Sequence, residues 1–314
     1  MSGILVIKLG ALGDVVMATA LMDAIARHHA EDQLTLLTTP AYAGLFDGWS
    51  RWRVIGLPRK GWRDTLAMAA WVRRGRFARI YDLQANDRTA IVCALSGSRE
   101  RVGNHARFPY THHPTSPWRG EGHIFERMRA VLASAGIDDV PALPVLPADS
   151  ASVARVAAWR ASHGLADGHY VVLHAGASAR RPEKIWPHFA ALAARLTAAG
   201  FTVVWLGGDE DRALNAAHAR LCGIDASSAL SLVELAEVGR HARFAVTNDS
   251  APMHVLAASG IPVFGLFGPS DWRRTHALGQ ADNVIACAPG EHDLATLSVD
   301  QVWLRLAAAG LTPG

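Results

Sequence analysis

The sequence predicts an α/β protein built from two doubly wound lobes, and three observations carry that prediction. Short apolar runs alternate with helical patterns along almost the whole chain, which is the order of parallel strands joined by crossover helices. The runs are continuously apolar instead of alternating, as expected for strands covered on both faces. At 314 residues the chain is too long for one hydrophobic core, and it suits two domains of roughly 150 residues each.

The apolar runs predict ten strands, distributed over both halves of the chain. The strands are predicted at Ile4–Lys8, Leu34–Leu37, Arg53–Ile55, Arg79–Leu83, Arg101–Gly103, Tyr170–His174, Thr202–Leu206, Phe244–Thr247, Pro262–Phe267 and Asn283–Ala286. Helices are predicted at Asp14–Arg27, Trp62–Arg73, Gly122–Ala135 and Pro187–Ala199. The segment Gly122–Ala135 is clearly amphipathic, and Gly136 stands where a C-terminal cap is expected.

The alternation of strands and helices breaks at Asp138–Ser150, a stretch rich in proline and alanine. Its three prolines within seven residues exclude a helix interior and favour an extended linker. We therefore expect residues 1–148 and 149–314 to form separate domains. Doubly wound sheets bind ligands at the carboxyl ends of their strands, so a cleft between the two domains is the expected site.

Composition excludes several classes of protein. Half of the residues are hydrophobic and 19% are charged, which is typical of a soluble globular chain. No apolar run reaches the ~18–20 residues that cross a bilayer. Lys8 interrupts the apolar N-terminus and no small-residue cleavage site follows, so we expect no export signal. The three cysteines lie far apart without metal-binding spacing, which indicates a cytoplasmic protein.

The net charge of +3 is unevenly distributed. The first 150 residues carry four more basic than acidic residues, which fits an anionic partner there as well as ordinary surface scatter. The basic residues are neither clustered in a long run nor interleaved with aromatic residues. We therefore expect no nucleic-acid partner.

A glycine-rich turn, Lys8-Leu-Gly-Ala-Leu-Gly-Asp14, follows the first predicted strand and opens the first helix. Gly10 and Gly13 let the backbone turn sharply and approach a ligand closely. Their spacing matches neither the dinucleotide fingerprint nor the phosphate loop. Asp14 fits two roles, a helix cap or a general base at the mouth of the cleft. Taken alone, its position at a helix start favours the cap.

A loop of small residues follows the strand that ends at His174 and leads to Lys184, just before a helix near Pro187. Exposed amides, Ser178, two arginines and Lys184 at a helix entrance suit a diphosphate. A solvated loop with incidental charges explains the same residues equally well.

A similar turn, Thr247–Val255, connects a later strand to a helix. Asp249 and Ser250 suit cap positions, and the amides of Ser250, Ala251 and Met253 would then be free to bind an anion. His254 fits either a phosphate contact or a buried core histidine, and without context the core is favoured.

Two further strand ends carry turns with polar residues. Gly268-Pro269 forms a tight turn after a strand, as expected for a loop that lines the cleft. The segment Leu206–Asp211 ends another strand with two glycines and three carboxylates. Such carboxylates bind ribose hydroxyls in dinucleotide folds, but they are also ordinary residues of a first helical turn.

Together these segments resemble the heptosyltransferase-type family 9 glycosyltransferases, which build the inner core of bacterial lipopolysaccharide. The resemblance spans residues 3 to about 275 in the family's order. It rests on Lys8–Asp14, Asp82-Leu-Gln84, Lys184-x-Trp-Pro187, Gly207–Asp211, Asn248–His254 and Gly268–Asp271.

The resemblance implies the GT-B fold, two Rossmann-like lobes that face each other across a cleft, with the acceptor on the first lobe and the nucleotide sugar on the second. It implies transfer of heptose from ADP-heptose, with inversion and without a metal or other cofactor. The partners it implies are a nucleotide sugar and an anionic acceptor like the lipopolysaccharide core. We expect a cytoplasmic enzyme in peripheral contact with the inner membrane.

The resemblance also implies residue roles. Asp14 matches the general base, and Lys184 matches the residue that neutralises the leaving diphosphate. The donor-binding residues it implies are Ser178, Glu210, Asp211, Asp249, Ser250, His254, Gly268 and Pro269. Glu210 and Asp211 are alternatives for the ribose. The residues assigned to the acceptor are Gly10, Gly13, Arg107 and His123. The last two lie among the arginines and histidines of residues 99–129, which suit an anionic core or equally a solvated loop.

Other functions stay open at this point. The same fold serves transferases that use another sugar nucleotide, or a protein or small-molecule acceptor. A non-catalytic nucleotide-sugar-binding protein is a second alternative, against which Asp14 argues. An epimerase of GT-B shape is a third, and the sequence offers no second carboxylate or histidine to place opposite Asp14.

Overall fold

The computed structural model of the protein describes residues 3–116 and 122–312. The chain divides into two compact units between Pro147 and Ala148, one residue before the boundary that the Pro-rich stretch predicts. Each unit contains a parallel sheet with helices packed against it. This architecture is the predicted α/β class, because strands and helices alternate along both units.

The first unit is built on a parallel sheet with the strand order β3-β2-β1-β4-β5. Its strands are β1 (Gly3–Ile7), β2 (Gln33–Thr38), β3 (Trp52–Gly56), β4 (Arg79–Asp82) and β5 (Glu100–Val102). Its helices are α1 (Leu12–His28), α2 (Pro40–Ala43), α3 (Gly61–Gly75), α4 (Asp87–Leu95) and α5 (Ile124–Ala133). The strand order reverses between β1 and β4, and such a switch point is where doubly wound sheets bind ligands.

The second unit is built on a parallel sheet with the order β11-β10-β9-β6-β7-β8. Its strands are β6 (Tyr170–His174), β7 (Thr202–Trp205), β8 (Ile224–Asp225), β9 (Ala245–Asn248), β10 (Val263–Phe267) and β11 (Val284–Ala286). Its helices are α6 (Ser150–Ser162), α7 (Phe189–Ala198), α8 (Arg212–Ala219), α9 (Leu232–Arg240), α10 (Ala251–Ala257), α11 (Trp272–Thr275) and α12 (Val299–Ala308). This is the Rossmann strand order, and it reverses between β6 and β9.

The predicted helix in the region of α5 shows how local sequence sets an element. Its buried side chains, among them Phe125 and Met128, lie on the one apolar face that the sequence predicts. The helix ends at Ala133, and Gly136 adopts the left-handed backbone of a helix terminator, with φ of 82°. Gly136 therefore acts at the C-terminus as predicted.

All ten predicted strands are present, with small differences at their ends. The two-residue strand β8 was not predicted, because two residues form no recognisable apolar run. The helix predicted from Pro187 begins at Phe189, after a short 3-10 turn at Pro182–Lys184. Within the two described ranges, no helix is long and apolar enough to cross a membrane.

Candidate active site

The switch point of the first unit joins the loop after β1 to the loop after β4. The Gln84 side-chain oxygen Oε1 accepts hydrogen bonds from the amides of Leu9 and Gly10, at 2.9 and 3.1 Å. The ammonium of Lys8 donates to the carbonyl oxygen of Leu83 at 3.3 Å. These bonds hold the glycine-rich turn against the end of β4, so the turn has a defined position before any ligand binds.

Asp14 lies in the first turn of α1 and faces the buried ammonium of Lys8. The distance from Lys8 Nζ to Asp14 Oδ2 is 3.9 Å, and the two side chains are 1% and 30% exposed. Burial lowers the pKa of Lys8 to about 8, although the neighbouring Asp14 carboxylate opposes that shift. The N-cap position belongs to Ala11, so the interpretation of Asp14 as the helix cap is wrong. Its partly exposed carboxylate is accessible to a substrate hydroxyl.

The two glycines of this turn differ in their surroundings. Gly10 has φ of 142°, and a Cβ there would lie 2.8 Å from Nη2 of Arg59. The positive φ favours glycine at this position, and the Arg59 guanidinium lies against the turn. Gly13 is buried in the first turn of α1. The acceptor contact assigned to both glycines stays a prediction.

A second carboxylate, Asp82, orders the loop after β4. It is completely buried, and it accepts hydrogen bonds from the Tyr110 hydroxyl and from the amides of Gln84 and Ala85. Burial raises the pKa of Asp82, while these hydrogen bonds act in the opposite direction. Asp82 is thus a structural carboxylate, in contrast to the partly exposed Asp14.

The two other predicted acceptor residues lie in different settings. Arg107 is exposed in the loop after β5, where it lines a hollow of about 430 Å³ together with Asp87 and Phe108. His123 is the N-cap of α5, and its Nδ1 accepts a hydrogen bond from the amide of Phe125 at 3.2 Å. His123 therefore has a structural role, and the acceptor contact of both residues remains a prediction.

The switch point of the second unit is held together by Asn248, at the end of β9. Its Nδ2 donates to the carbonyl oxygens of Ala175 and Gly176, at 2.8 and 3.1 Å. Its Oδ1 accepts from the amide of Trp186 at 3.1 Å. The buried Asn248 therefore fixes both ends of the loop that carries Lys184.

Lys184 and Asp249, predicted separately for catalysis and donor binding, form an ion pair. The distance from Nζ to Oδ2 is 2.6 Å, and both side chains are largely buried. Lys184 ends the 3-10 turn after β6, whereas Asp249 directly follows β9. The pair therefore lies at the switch point, and Asp249 positions the ammonium group that would meet a diphosphate.

Ser250, His174 and Asp211 form a chain of polar contacts next to this ion pair. The Ser250 hydroxyl lies 3.2 Å from His174 Nδ1, and His174 Nε2 lies 3.5 Å from Asp211 Oδ2. Burial tends to raise the pKa of Asp211, but the contact with His174 and a hydrogen bond from the Gly208 amide hold this pKa below its usual value. Asp211 therefore faces inward as a charged partner of His174.

Ser250 is the N-cap of α10, but it caps without a side-chain hydrogen bond because its hydroxyl faces His174. The amide of Met253, which we expected to be free, donates to the Ser250 carbonyl oxygen at 3.1 Å. That expectation was wrong, because the first turn of α10 is closed by this bond. His254 is buried in α10, as the core interpretation expects, so its phosphate contact stays a prediction.

The other predicted donor-binding residues lie at the same edge of the second sheet. Glu210 and Ser178 are exposed, in the loops after β7 and β6. Gly268 and Pro269 are half-buried directly after β10. The choice between Glu210 and Asp211 for the ribose is untested, but only Glu210 is exposed. Within the described ranges, no group of three or more His, Cys, Asp or Glu side chains could hold a metal ion.

Sequence reasoning assigned no role to Lys8, His174 or Asn248. Lys8 carried a signal, since a cation inside the apolar run of a buried strand requires a partner. For His174 and Asn248, the only signal in the sequence was their position at the end of a predicted strand. Their partners lie 76 and 73 residues away along the chain, so the contacts could not be derived from spacing.

The residue pattern and the fold both match known proteins. A sequence profile described as glycosyltransferase family 9 (heptosyltransferase) matches residues 65–299. Lipopolysaccharide heptosyltransferase 3 of Escherichia coli is 27% identical over 222 residues, which cover 64% of this chain and 63% of that protein. The match thus spans less than two thirds of that relative's length.

Two solved structures are similar over almost the whole chain. The glycosyl transferase family 9 protein from Veillonella parvula DSM 2008 has a TM-score of 0.85 at 21% identity, covering 98% of this chain and 96% of that one. E. coli ADP-heptose lps heptosyltransferase II has a TM-score of 0.78 at 21% identity and covers 98% of both chains. This likeness and the two Rossmann-like sheets confirm the predicted GT-B fold class. Because the profile covers well over half of the sequence, the chain belongs to glycosyltransferase family 9.

Proposed function

We propose that this protein transfers heptose from ADP-heptose to an anionic acceptor of the lipopolysaccharide inner core, at the cytoplasmic face of the inner membrane. The reaction inverts the anomeric carbon and uses Asp14 as its general base. The names of the relatives support the donor and the acceptor, since they are heptosyltransferases of lipopolysaccharide and one is named for ADP-heptose.

The first unit supplies the base. An acceptor hydroxyl gives its proton to Asp14 as its oxygen forms the bond to the anomeric carbon. The buried ammonium of Lys8 lies 3.9 Å from the Asp14 carboxylate, so the two groups face each other at the turn. Hydrogen bonds of Lys8 and Gln84 hold the turn that leads to Asp14, so the backbone that carries the base needs little reorganisation when the substrate arrives.

The second unit supplies charge for the leaving group. The bond between the anomeric carbon and the diphosphate oxygen breaks, and ADP departs with the electron pair. Lys184 neutralises the developing charge while Asp249 holds its ammonium in place. The Ser250 hydroxyl is directed toward His174 and the Asn248 carbonyl oxygen, so its oxygen can accept a hydrogen bond from a sugar hydroxyl.

One observation carries this proposal. In a chain of family 9, the partly exposed carboxylate of Asp14 stands beside a buried cation at the switch point of a Rossmann-like sheet. A carboxylate with only a structural role would be enclosed by hydrogen-bond donors, as Asp82 is.

The substitution Asp14→Asn tests the base. We expect turnover of ADP-heptose with a lipopolysaccharide-core acceptor to fall by roughly 10²–10⁴-fold, because the proton of the attacking hydroxyl loses its acceptor. Binding of ADP-heptose, measured by calorimetry, should stay within about twofold, because the donor contacts lie on other residues.

Asp23→Asn is the matched control, because Asp23 lies on the same helix with a similarly exposed side chain, paired with Arg27. This variant should keep its turnover. Turnover by Asp14→Asn close to that of the unchanged protein would remove Asp14 as the base. Absence of heptose transfer by the unchanged protein would contradict the function itself.

A further inference from the structure

The outer faces of α3 and α4 form one surface of the first unit. Both helices bury their inner sides in a single core cluster, α3 with Met68 and Val72 and α4 with Val92 and Cys93. Because these buried sides pack against the same cluster, the opposite sides of both helices face solvent together. We call these two outer faces, with the arginines at their ends, the α3–α4 surface.

Two hydrogen bonds show that the helices lie side by side with the same direction. Near their starts, Arg88 Nη1 donates to the carbonyl oxygen of Arg59 at 3.0 Å. Near their ends, Arg73 Nη1 donates to the carbonyl oxygen of Leu95 at 3.2 Å. The two helices are therefore neighbours, with the start of α3 near the start of α4 and the end of α3 near the end of α4.

Large apolar side chains occupy these stripes. On α3, Trp62 is 68% exposed and Leu66 is 47% exposed, and on α4, Ile91 and Leu95 are 47% and 45% exposed. Each pair is four residues apart, so its two members lie on one side of their helix. None of the four side chains belongs to the core cluster that the two helices cover, so their exposed area is available to a partner.

Arginines surround one end of the apolar stripes. Arg73, Arg74, Arg76 and Arg99 line a hollow of about 1000 Å³, together with apolar groups such as Phe77. None of the four forms an ion pair with a carboxylate in the described parts of the chain. Their positive charges are thus available to a phosphate-bearing partner.

We propose that the α3–α4 surface binds an anionic lipid bilayer, with the apolar stripes among the acyl chains and the arginines among the lipid phosphates. An amphipathic helix with tryptophan and leucine on one side and arginines at the edge is suited to lie in a membrane interface. Arginines near an anionic bilayer add electrostatic attraction to this apolar contact. A nucleic acid would use the arginines but leave the four apolar side chains in water.

The surface also has a defined relation to the catalytic base. Residue Arg59, whose guanidinium lies against Gly10 of the Asp14 turn, precedes Trp62 by three positions. One end of the apolar stripe is therefore close to the turn, and a bound bilayer would lie near the base. This inference rests on the proposed function in one respect, that the acceptor is a lipopolysaccharide at the membrane. The test below measures vesicle binding and not heptose transfer, so the two proposals can fail separately.

Co-sedimentation with vesicles tests the proposal. The full chain should bind vesicles of 70% phosphatidylethanolamine and 30% phosphatidylglycerol, and bind pure phosphatidylcholine at least about tenfold more weakly. The variant Arg74→Ala/Arg99→Ala should lose roughly 25-fold in partitioning, because each arginine near an anionic surface contributes about fivefold. Trp62→Ser/Leu66→Ser should lose roughly tenfold or more, because burial of apolar side chains is removed.

The matched control is Arg220→Ala/Leu221→Ser, which removes an exposed arginine and a leucine that is 73% exposed in the second unit. Its partitioning should equal that of the unchanged protein, and thermal denaturation should show that all variants are folded. Equal losses in the control and the α3–α4 variants would overturn the proposal. So would equal binding to neutral and anionic vesicles, or the absence of vesicle binding.

Discussion

Lys8 is a cation that is almost completely buried at the end of β1, where its ammonium meets the Leu83 carbonyl oxygen and the Asp14 carboxylate. Burial lowers its pKa to about 8, and Asp14 acts in the opposite direction. The Asp14 carboxylate therefore favours the charged form of Lys8 against the effect of burial. Removal of the Asp14 carboxylate would leave the buried Lys8 ammonium without its charged neighbour, so the proposed base also contributes to the environment of Lys8.

The pH dependence of stability follows from this pair. An unfolded lysine has its ordinary pKa of 10.5, whereas folded Lys8 has a pKa of about 8. Between these values the unfolded chain binds more protons, so the free energy of unfolding rises with pH. Between pH 8 and pH 10.5, the free energy of unfolding of the unchanged protein should therefore rise by at most about 3 kcal/mol relative to that of Lys8→Met.

Urea unfolding of both proteins at pH 7.5 and pH 10 measures this difference. The contributions of all other titrating groups to the pH dependence are the same in both proteins and cancel in the comparison. Lys60→Met, which replaces an exposed lysine of the same unit, serves as the control. A constant difference between the unchanged protein and Lys8→Met at the two pH values would contradict the lowered pKa of Lys8.

At the scale of elements, both switch points are joined by a side-chain amide. In the first unit Gln84, after β4, binds the backbone of the turn after β1. In the second unit Asn248, at the end of β9, binds the backbone of the loop after β6. An amide satisfies backbone groups without adding charge, so each loop is ordered while the charged residues beside it stay available to ligands.

Removal of the second amide tests this anchoring. Asn248→Ala should lower the free energy of unfolding by about 3 kcal/mol, because three backbone groups lose a buried partner at about 1 kcal/mol each. Asn283→Ala is the control, since the half-buried Asn283 side chain donates one hydrogen bond, to Gln280. A similar small loss in both variants, measured by urea unfolding, would show that Asn248 does not anchor the loop.

At the scale of the whole molecule, the predicted roles divide between the two units. The predicted base, Asp14, lies in the first unit, and every predicted donor-binding residue lies in the second. A donor that binds the folded protein but not the unfolded chain must stabilise the fold by mass action. At a concentration of 100 times its Kd, ADP-heptose should raise the free energy of unfolding by about 2.7 kcal/mol.

A thermal-shift panel of ADP-, UDP- and GDP-sugars checks both the donor and its site. The ADP-sugar should raise the melting temperature most, and Lys184→Ala should reduce that shift because the variant lacks the ammonium proposed to bind the diphosphate. A larger shift with UDP- or GDP-sugars would replace the proposed donor. An unchanged shift in Lys184→Ala would place the diphosphate away from Lys184.

Local patterns in the sequence determined the strands, the main helices and the places of the strand-end motifs. Continuous apolar runs mark buried parallel strands, and glycine marks turns such as the one before Asp14, because both depend on neighbouring residues alone. The family resemblance came from the order of these motifs. The helix terminator at Gly136 was predictable for the same reason, since it depends on one backbone conformation.

Only the tertiary structure decided which side chains meet. Lys184 and Asp249 are 65 residues apart, Ser250 and His174 are 76 apart, and Lys8 contacts a carbonyl 75 residues away. Crossover connections bring such residues together at the reversal of each parallel sheet, and no local spacing encodes that meeting. The general-base role of Asp14 therefore stays a prediction from the family resemblance, whereas the fold alone shows that the buried Lys8 lies beside it.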